Sequence, residues 1–310
     1  MTEKDVHGRD LRYFLAVAEE LHFTRAAERL YVSQPALSKQ IRALERQLGA
    51  PLFDRDRHGV ALTPVGEALL PHARTVLAAW EEAAGAVRRA REAADGTLTV
   101  GMSTSPGRDG LLPAIRSRFT GTHPAARLRL RQVGWEDPTA GLADGGSDLA
   151  FVWLPLPGAA RFRWDVVATE PRLVALPAGH RLAARDVLDF AELLDEPFLA
   201  LPDTGPELRD YWLATDCRDG RPPVIGGVIA SADETYEALV DGLGICLVAT
   251  GNTPLIARDG VVTRPVRGVP PSSFALAWRA GDTRALVRDY ARAAAAVVRS
   301  TRRPAPQSSR

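Results

Sequence analysis

Residues 33–48 read SQPALSKQIRALERQL, and the rest of the chain takes its meaning from them. Leu37, Ile41, Leu44 and Leu48 recur at four, three and four, which at helical period makes one stripe facing a core. At about 100° per residue, Pro35, Ser38, Lys39, Arg42 and Arg46 point the other way, a small polar and cationic outer face. Ser33 suits an N-cap, and Pro35 falls in the first turn, where a missing backbone N–H does little harm. Gln34 at such an end can hydrogen-bond a base edge, Ser38 a base or a phosphate, and the cations phosphates or guanine.

Alone, this pattern also fits an ordinary amphipathic surface helix. Its neighbours decide. Upstream, Thr24 to Leu30 makes a second short helix with Ala26, Ala27 and Leu30 for close packing, and Tyr31-Val-Ser33 is a three-residue turn. Two short helices joined in this way form a helix-turn-helix, whose second member enters the major groove. Downstream, Gly59 permits a tight turn between Leu52-Phe53 and Val60-Ala-Leu62, a β-wing presenting Arg55 and Arg57 to a phosphate backbone. Between Arg25 and Arg57, seven cations (Arg25, Arg29, Lys39, Arg42, Arg46, Arg55, Arg57) face four anions (Glu28, Glu45, Asp54, Asp56). An excess this small calls for two or more copies on the DNA.

Phe23 to Leu70, with AA..L..SQPALS.QI..LE..LG..LF.R followed by LT..G, resembles the winged helix-turn-helix of LysR-type transcriptional regulators. The resemblance implies that Gln34, Pro35, Ser38 and Lys39 contact DNA at the helix start and that Arg55 holds the wing position. Ser33, Arg42 and Arg57 join them on the residue reading above.

Asp10 to Leu21 reads as a bracing helix capped by Asp10. Thr63-Pro64 opens a long one, with Pro at the first helical position. Along it Leu69, Ala73, Val76, Trp80, Ala83 and Val87 alternate by four and three, and Ala90 and Ala94 continue the seam. Such a heptad seam pairs with another helix. At about 1.5 Å per residue the helix runs roughly 40 Å, too long for the head alone to cover. In the family resembled, this linker helix dimerises the heads.

After Gly96 strands and helices alternate: strands at Thr97–Gly101, Arg127–Val133 and Leu149–Val152, and helices at Leu111–Phe119 and Pro138–Asp144. A second set runs from Arg172 to Val248, with a closing strand Phe274–Trp278 and helix Thr283–Ser300. This alternation predicts a mostly parallel sheet covered by helices. The resemblance implies a two-lobed, periplasmic-binding-protein-like effector domain. The expected fold is thus α/β and multi-domain: a winged helix-turn-helix over 1–63, a linker helix over 64–95, an effector-binding domain over 96–303 and a disordered tail at 304–310. Lobe I takes about 97–168 and 270–303, and lobe II about 169–269.

In open α/β sheets, ligands sit beyond the carboxyl ends of strands. That singles out Ser103, Thr104, Ser105, Trp135, Trp153, Thr204 and Thr250 for a small effector, with hydroxyls and two tryptophans suited to a small acid or an aromatic compound.

The composition narrows the rest. A net charge of +1 over 310 residues makes any nucleic-acid face local. Only Cys217 and Cys246 are present, with no zinc-ligand spacing and no disulfide framework, which fits a reducing cytoplasm. The sequence has no run of about 20 apolar residues and no signal-peptide pattern, so no membrane is expected. Gly101-Met-Ser-Thr-Ser105 lacks the second glycine of a nucleophile elbow, His123 and His180 have no local partner, and no Walker or GxGxxG loop follows a strand. The expectation is a regulator without enzyme activity or cofactor. Its partners would be promoter DNA, a second copy or three more, a small effector and RNA polymerase. A redox sensor using Cys217 and Cys246 is the alternative, followed by a free solute-binding module or an enzyme with a regulatory head.

Overall fold

The computed structural model describes residues 6–56, 59–94, 96–103 and 110–301. Arg57, Thr104, Ser105 and the tail lie outside the described residues. The chain divides into two compact units, Met1–Ala86 and Val87–Arg310.

In the first unit, α1 (Gly8–Glu20), α2 (Phe23–Arg29) and α3 (Gln34–Leu48) precede a hairpin of β1 (Phe53–Asp56) and β2 (Gly59–Leu62). Asp10 is the third residue of α1 rather than its cap, and its carboxylate accepts from the His7 N–H at 3.2 Å. Ser33 caps α3, accepting from Ala36 N, and Gly49 ends it in the left-handed region at φ 77°. Leu37, Ile41 and Leu44 are buried against Phe14, Phe23 and Phe53 in one core, so the stripe read at helical spacing faces inward as expected.

The long helix α4 (Pro64–Ala94) starts from a tight joint. The Thr63 hydroxyl donates to Pro51 O at 2.8 Å and accepts from Gly66 N at 3.1 Å. A Cβ on Gly66 would stand 2.3 Å from Leu52 O, so only glycine lets the helix approach the wing this closely.

The second unit holds two lobes. Lobe I is a five-stranded sheet in the order β4-β3-β5-β13-β6, formed by β3 (Thr97–Met102), β4 (Arg127–Gln132), β5 (Leu149–Trp153), β6 (Phe162–Glu170) and β13 (Ser272–Arg279). Helices α5 (Leu111–Thr122) and α9 (Ala285–Thr301) pack on it through Ile115, Phe119, Val287 and Tyr290. Lobe II has β7 (Arg172–Pro177), β8 (Leu188–Asp189), β11 (Cys246–Ala249) and β12 (Val261–Arg267) in the order β11-β7-β12-β8. Beside them lie the parallel pair β9 (Pro197–Ala200) and β10 (Val224–Val228) and the helices α6 (Pro206–Trp212), α7 (Ala232–Val240) and α8 (Thr253–Ile256).

The sheets are mixed rather than mostly parallel: β3 runs parallel to β4 and β5, whereas β13 runs antiparallel to β5 and β6. The late return of the chain as β13 brings in the opposite direction. Pro138 to Asp144 forms turns where the sequence predicts a helix. The Asp137 carboxylate gathers Thr139 N, Thr139 Oγ1 and Gly141 N, and Ala140 and Gly141 turn to φ 49° and 84°, which no α-helix accepts.

Candidate nucleic-acid interface and effector cleft

On α3 the side away from the core exposes Gln34, Pro35, Lys39, Arg42 and Arg46, with Ser33 exposed at the cap. Tyr31, in the preceding turn, is 96% exposed; its place in the turn is legible from sequence, its exposure is not. Gln34 starts the helix, where its side chain stands clear of the head's own packing.

Ser38 departs from the expected outer face. It is only 8% exposed, because the wing folds over that flank of α3, and its hydroxyl accepts from Arg55 Nη1 at 3.1 Å. Arg55 is correspondingly turned inward. Its guanidinium lies 3.6 Å from Glu45 Oε2 and 4.2 Å over the Phe23 ring. Burial lowers its pKa, with the Glu45 carboxylate opposing the shift and Arg42 adding to it. Glu45 also accepts from Leu52 N and Phe53 N, so one carboxylate fixes the start of the wing and its arginine. Helical spacing shows neither residue's tertiary partner.

The seam along α4 splits in two. Ala73 is 1% exposed within the head's core, and half-buried Leu69 packs against the same core. Val76, Trp80 and Val87 are 52%, 68% and 65% exposed, and Ala83 is exposed between them. The first turns of α4 therefore brace the head, and its apolar seam faces out only from Val76 onward.

Between the lobes lies a cleft of about 770 Å³, counting its open mouth. Lobe I supplies Ser103 after β3, Trp135 after β4 and Trp153 at the end of β5. These positions match the strand ends read from sequence. Lobe II supplies Leu208 and Trp212 from α6, Thr235 from α7, and Asn252 beyond β11. Sequence spacing does not mark Trp212 or Asn252: α6 reads as a plain amphipathic helix, and Thr250 is the hydroxyl nearest the end of β11. Thr204 is exposed outside the cleft wall, and the Thr250 hydroxyl donates to Pro171 O at 3.1 Å where the chain crosses between lobes. Neither lines the cleft. Trp135 donates from Nε1 to Ser103 O at 3.2 Å, and its backbone N–H donates to Ala230 O at 3.2 Å, linking the lobes.

Cys246 lies buried in the cleft wall, and burial pushes its thiol up to about 12. A thiol that keeps its proton at neutral pH is a poor nucleophile, which weakens the redox alternative. His123 pairs with Asp289 at 3.1 Å and His180 with Glu196 at 3.2 Å, and neither histidine belongs to the cleft lining. Among the described residues no group of His, Cys, Asp and Glu could hold a metal ion, and no helix is long and apolar enough to cross a membrane.

A winged helix-turn-helix on a long helix, followed by two α/β lobes around an apolar cleft, defines a DNA-binding regulator with a built-in ligand domain. Residues 9–67 match the bacterial regulatory helix-turn-helix protein, lysR family, and residues 91–299 match the LysR substrate binding domain. The chain belongs to the LysR family and is a LysR-type DNA-binding transcriptional regulator. It is 33% identical over 286 residues to the Hca operon transcriptional activator HcaR of Escherichia coli, covering 91% of this chain and 95% of that one. Among solved structures, a hydrogen-peroxide-bound mutant of OxyR from Corynebacterium glutamicum is 30% identical with a TM-score of 0.50, covering 96% of this chain and 98% of that one. Full-length CbnR in complex with its target DNA is 25% identical with a TM-score of 0.50, covering 94% of this chain and all of that one.

Proposed function

We propose that this regulator binds promoter DNA as an oligomer through Gln34, Pro35, Lys39 and Arg42, and that a small molecule in the interlobe cleft alters that binding. The observation that carries the reading is the outer face of α3: four exposed groups able to meet base edges and phosphates, on a helix whose other side is buried. Ser33 orders the helix start. Ser38 and Arg55 act by fixing the wing against α3, and Arg57, which lies outside the described residues, is kept as a phosphate contact on the sequence reading alone. Residues 1–63 form the head, 64–95 the linker and 96–303 the effector domain, with lobe I from 97–168 and 270–303.

Val76, Trp80, Ala83 and Val87 pair with the same residues of a second copy, since an exposed apolar stripe at heptad spacing gains most from an identical partner. Val224, Ile225 and Val228 on β10, with Leu243 nearby, are also exposed and support association beyond two chains. The effector shifts the relative placement of paired heads, as a ligand that prefers one arrangement must. The protein works in the cytoplasm without catalysing a reaction, and RNA polymerase reads the outcome at the promoter.

The test is a footprint on the DNA flanking the coding region, with and without candidate compounds. A protected inverted repeat that shortens or shifts with one compound supports the whole reading. Protection that no compound alters rejects effector control, and no protection at low salt rejects these DNA contacts.

A further inference from the structure

We infer that Tyr31 is a further DNA contact of the head, its hydroxyl donating to a backbone phosphate beside the start of α3. The inference rests on the head's binding of DNA and goes beyond the α3 face proposed above. Tyr31 is 96% exposed, and no other large hydrophobic side chain among the described residues comes near it; Trp80 follows at 68%. A ring left this bare contributes almost nothing to the core of its own domain.

The backbone adds to the cost of placing a tyrosine there. Tyr31 N donates to Glu28 O at 3.0 Å and Val32 N to Ala27 O at 3.0 Å, so α2 closes in a Schellman pair with Tyr31 at the left-handed position, φ 55°. Glycine is the usual occupant of that position, because a Cβ there crowds the following carbonyl. Leu21 ends α1 in the same region at φ 46°, but it is only 47% exposed and so gains some packing in return. Tyr31 gains none, and a strained residue that buries nothing has its use outside the fold.

The chemistry of the helix start says what that use is. A helix N-terminus ordinarily offers a phosphate several backbone donors. Here Pro35 has no N–H, Ala36 N donates to Ser33 Oγ at 3.4 Å and Leu37 N to Ser33 O at 3.0 Å. The arginines of α2 turn back to α1: Arg25 Nη2 donates to Glu20 O at 2.7 Å, and Arg29 Nη1 lies 2.8 Å from Glu19 and 3.4 Å from Glu20. Tyr31 stands between the two helices, two residues before the Ser33 cap, and brings a phenolic donor to this margin.

Tyr31→Phe and Tyr31→Gly in the full-length protein test the assignment, with Lys39→Ala beside them. Denaturant unfolding is combined with binding titrations on two duplexes of equal length at low salt, one from the DNA flanking the coding region and one of unrelated sequence. Tyr31→Phe should bind both duplexes about threefold to tenfold more weakly, and Tyr31→Gly at least as weakly as Tyr31→Phe. Neither should change the salt slope, since a neutral hydroxyl displaces no counter-ion, whereas Lys39→Ala lowers it by about one. Tyr31→Gly should unfold at or above the parent's denaturant midpoint, because glycine fits the left-handed position. Equal or greater stability with weaker binding is a pair of changes that a merely structural residue does not give. Binding by Tyr31→Gly equal to the parent's overturns the contact, and so does a lowered unfolding midpoint in that variant. A loss that Tyr31→Phe does not share, or one confined to a single duplex, overturns the hydroxyl-to-phosphate assignment. If Lys39→Ala binds like the parent while both Tyr31 variants weaken, the α3 reading fails at Lys39 and Tyr31 stands.

Discussion

Arg55 Nη1 donates to Ser38 Oγ across 3.1 Å and so ties the wing to the recognition helix 17 residues earlier in the chain. The same guanidinium faces Glu45 and the Phe23 ring. Arg55→Ala removes a hydrogen bond and a cation–π contact, about 1–2 kcal/mol of head stability after allowing for partial solvent screening. Denaturant unfolding should show that loss, and DNA affinity should fall on every sequence with a salt slope reduced by less than about one. A full one-unit drop in slope with unchanged stability would make Arg55 a phosphate contact instead.

Gln34 and Lys39 are both exposed on α3 but differ in chemistry. Gln34→Ala should relax discrimination at one base position by about 1–3 kcal/mol, since an amide can pair bidentately with an adenine edge. Lys39→Ala should weaken binding uniformly and lower the salt slope by about one. Binding titrations on a set of single-base operator variants separate the two. Equal losses on all operators for both substitutions would remove Gln34 from base readout.

The division of the α4 seam predicts opposite failures for neighbouring substitutions. Trp80→Asp, on the exposed part, should leave the head folded and shift the protein to monomers in sedimentation, with half-site cooperativity lost. Ala73→Leu, in the head's core at 1% exposure, should cost about 1–3 kcal/mol by overpacking and leave the oligomer intact. Monomers from Ala73→Leu in a stably folded head would place the dimer contact there.

These two residues also show what the sequence can and cannot convey. The seam and the α3 stripe are visible because helical period is a local property, and the core adopts them directly at Leu37, Ile41 and Leu44. Which part of the seam meets the head depends on where α4 leaves it, set by the contact of Gly66 with Leu52 O. Ser38 reads as outward because the wing that covers it lies 17 residues further along the chain, and Arg55, itself exposed, turns its guanidinium onto α3 through the same contact. In the second unit β6 is hidden from periodicity, since Phe162–Glu170 carries exposed Arg163, Trp164 and Asp165 in succession and lacks clean alternation. The cleft tryptophans after β4 and β5 are legible from strand ends, whereas Trp212 reaches the cleft from a helix.

The two cysteines should differ in reactivity. Cys246 is buried with its thiol raised to about 12, while Cys217 is partly exposed. Native protein treated with iodoacetamide at about pH 8 should label Cys217 first and leave Cys246 intact until unfolding. The unfolded chain releases the Cys246 proton near pH 8.5, whereas the folded chain holds it to about 12. Its contribution to stability is therefore full below that range and declines as pH rises from about 9 to 12. Cys246→Ala should flatten that slope relative to the parent. Rapid native labelling of Cys246 would reopen the redox reading.

Arg172 joins the two crossings between the lobes. It follows the first, after β6, and donates to Pro270 O at 2.8 Å on the second and to Tyr211 O at 2.7 Å on α6. The Tyr211 ring lies 4.3 Å beneath its guanidinium, and the Tyr211 hydroxyl donates to Pro271 O at 3.0 Å. Trp212, the next residue, lines the cleft, so the strap and the ligand wall share one short helix. Arg172→Met keeps the bulk but leaves carbonyls of both elements without their donor, a loss of about 2–4 kcal/mol from the second unit. Tyr211→Phe removes one hydroxyl bond and should cost about 1 kcal/mol. Calorimetry should show the second unit's transition falling in that order, with the head's transition unmoved. If the strap also sets lobe closure, Arg172→Met shifts the ligand concentration that changes the footprint while DNA affinity without ligand stays constant. An unchanged ligand midpoint alongside the lost stability would confine Arg172 to holding the crossings together.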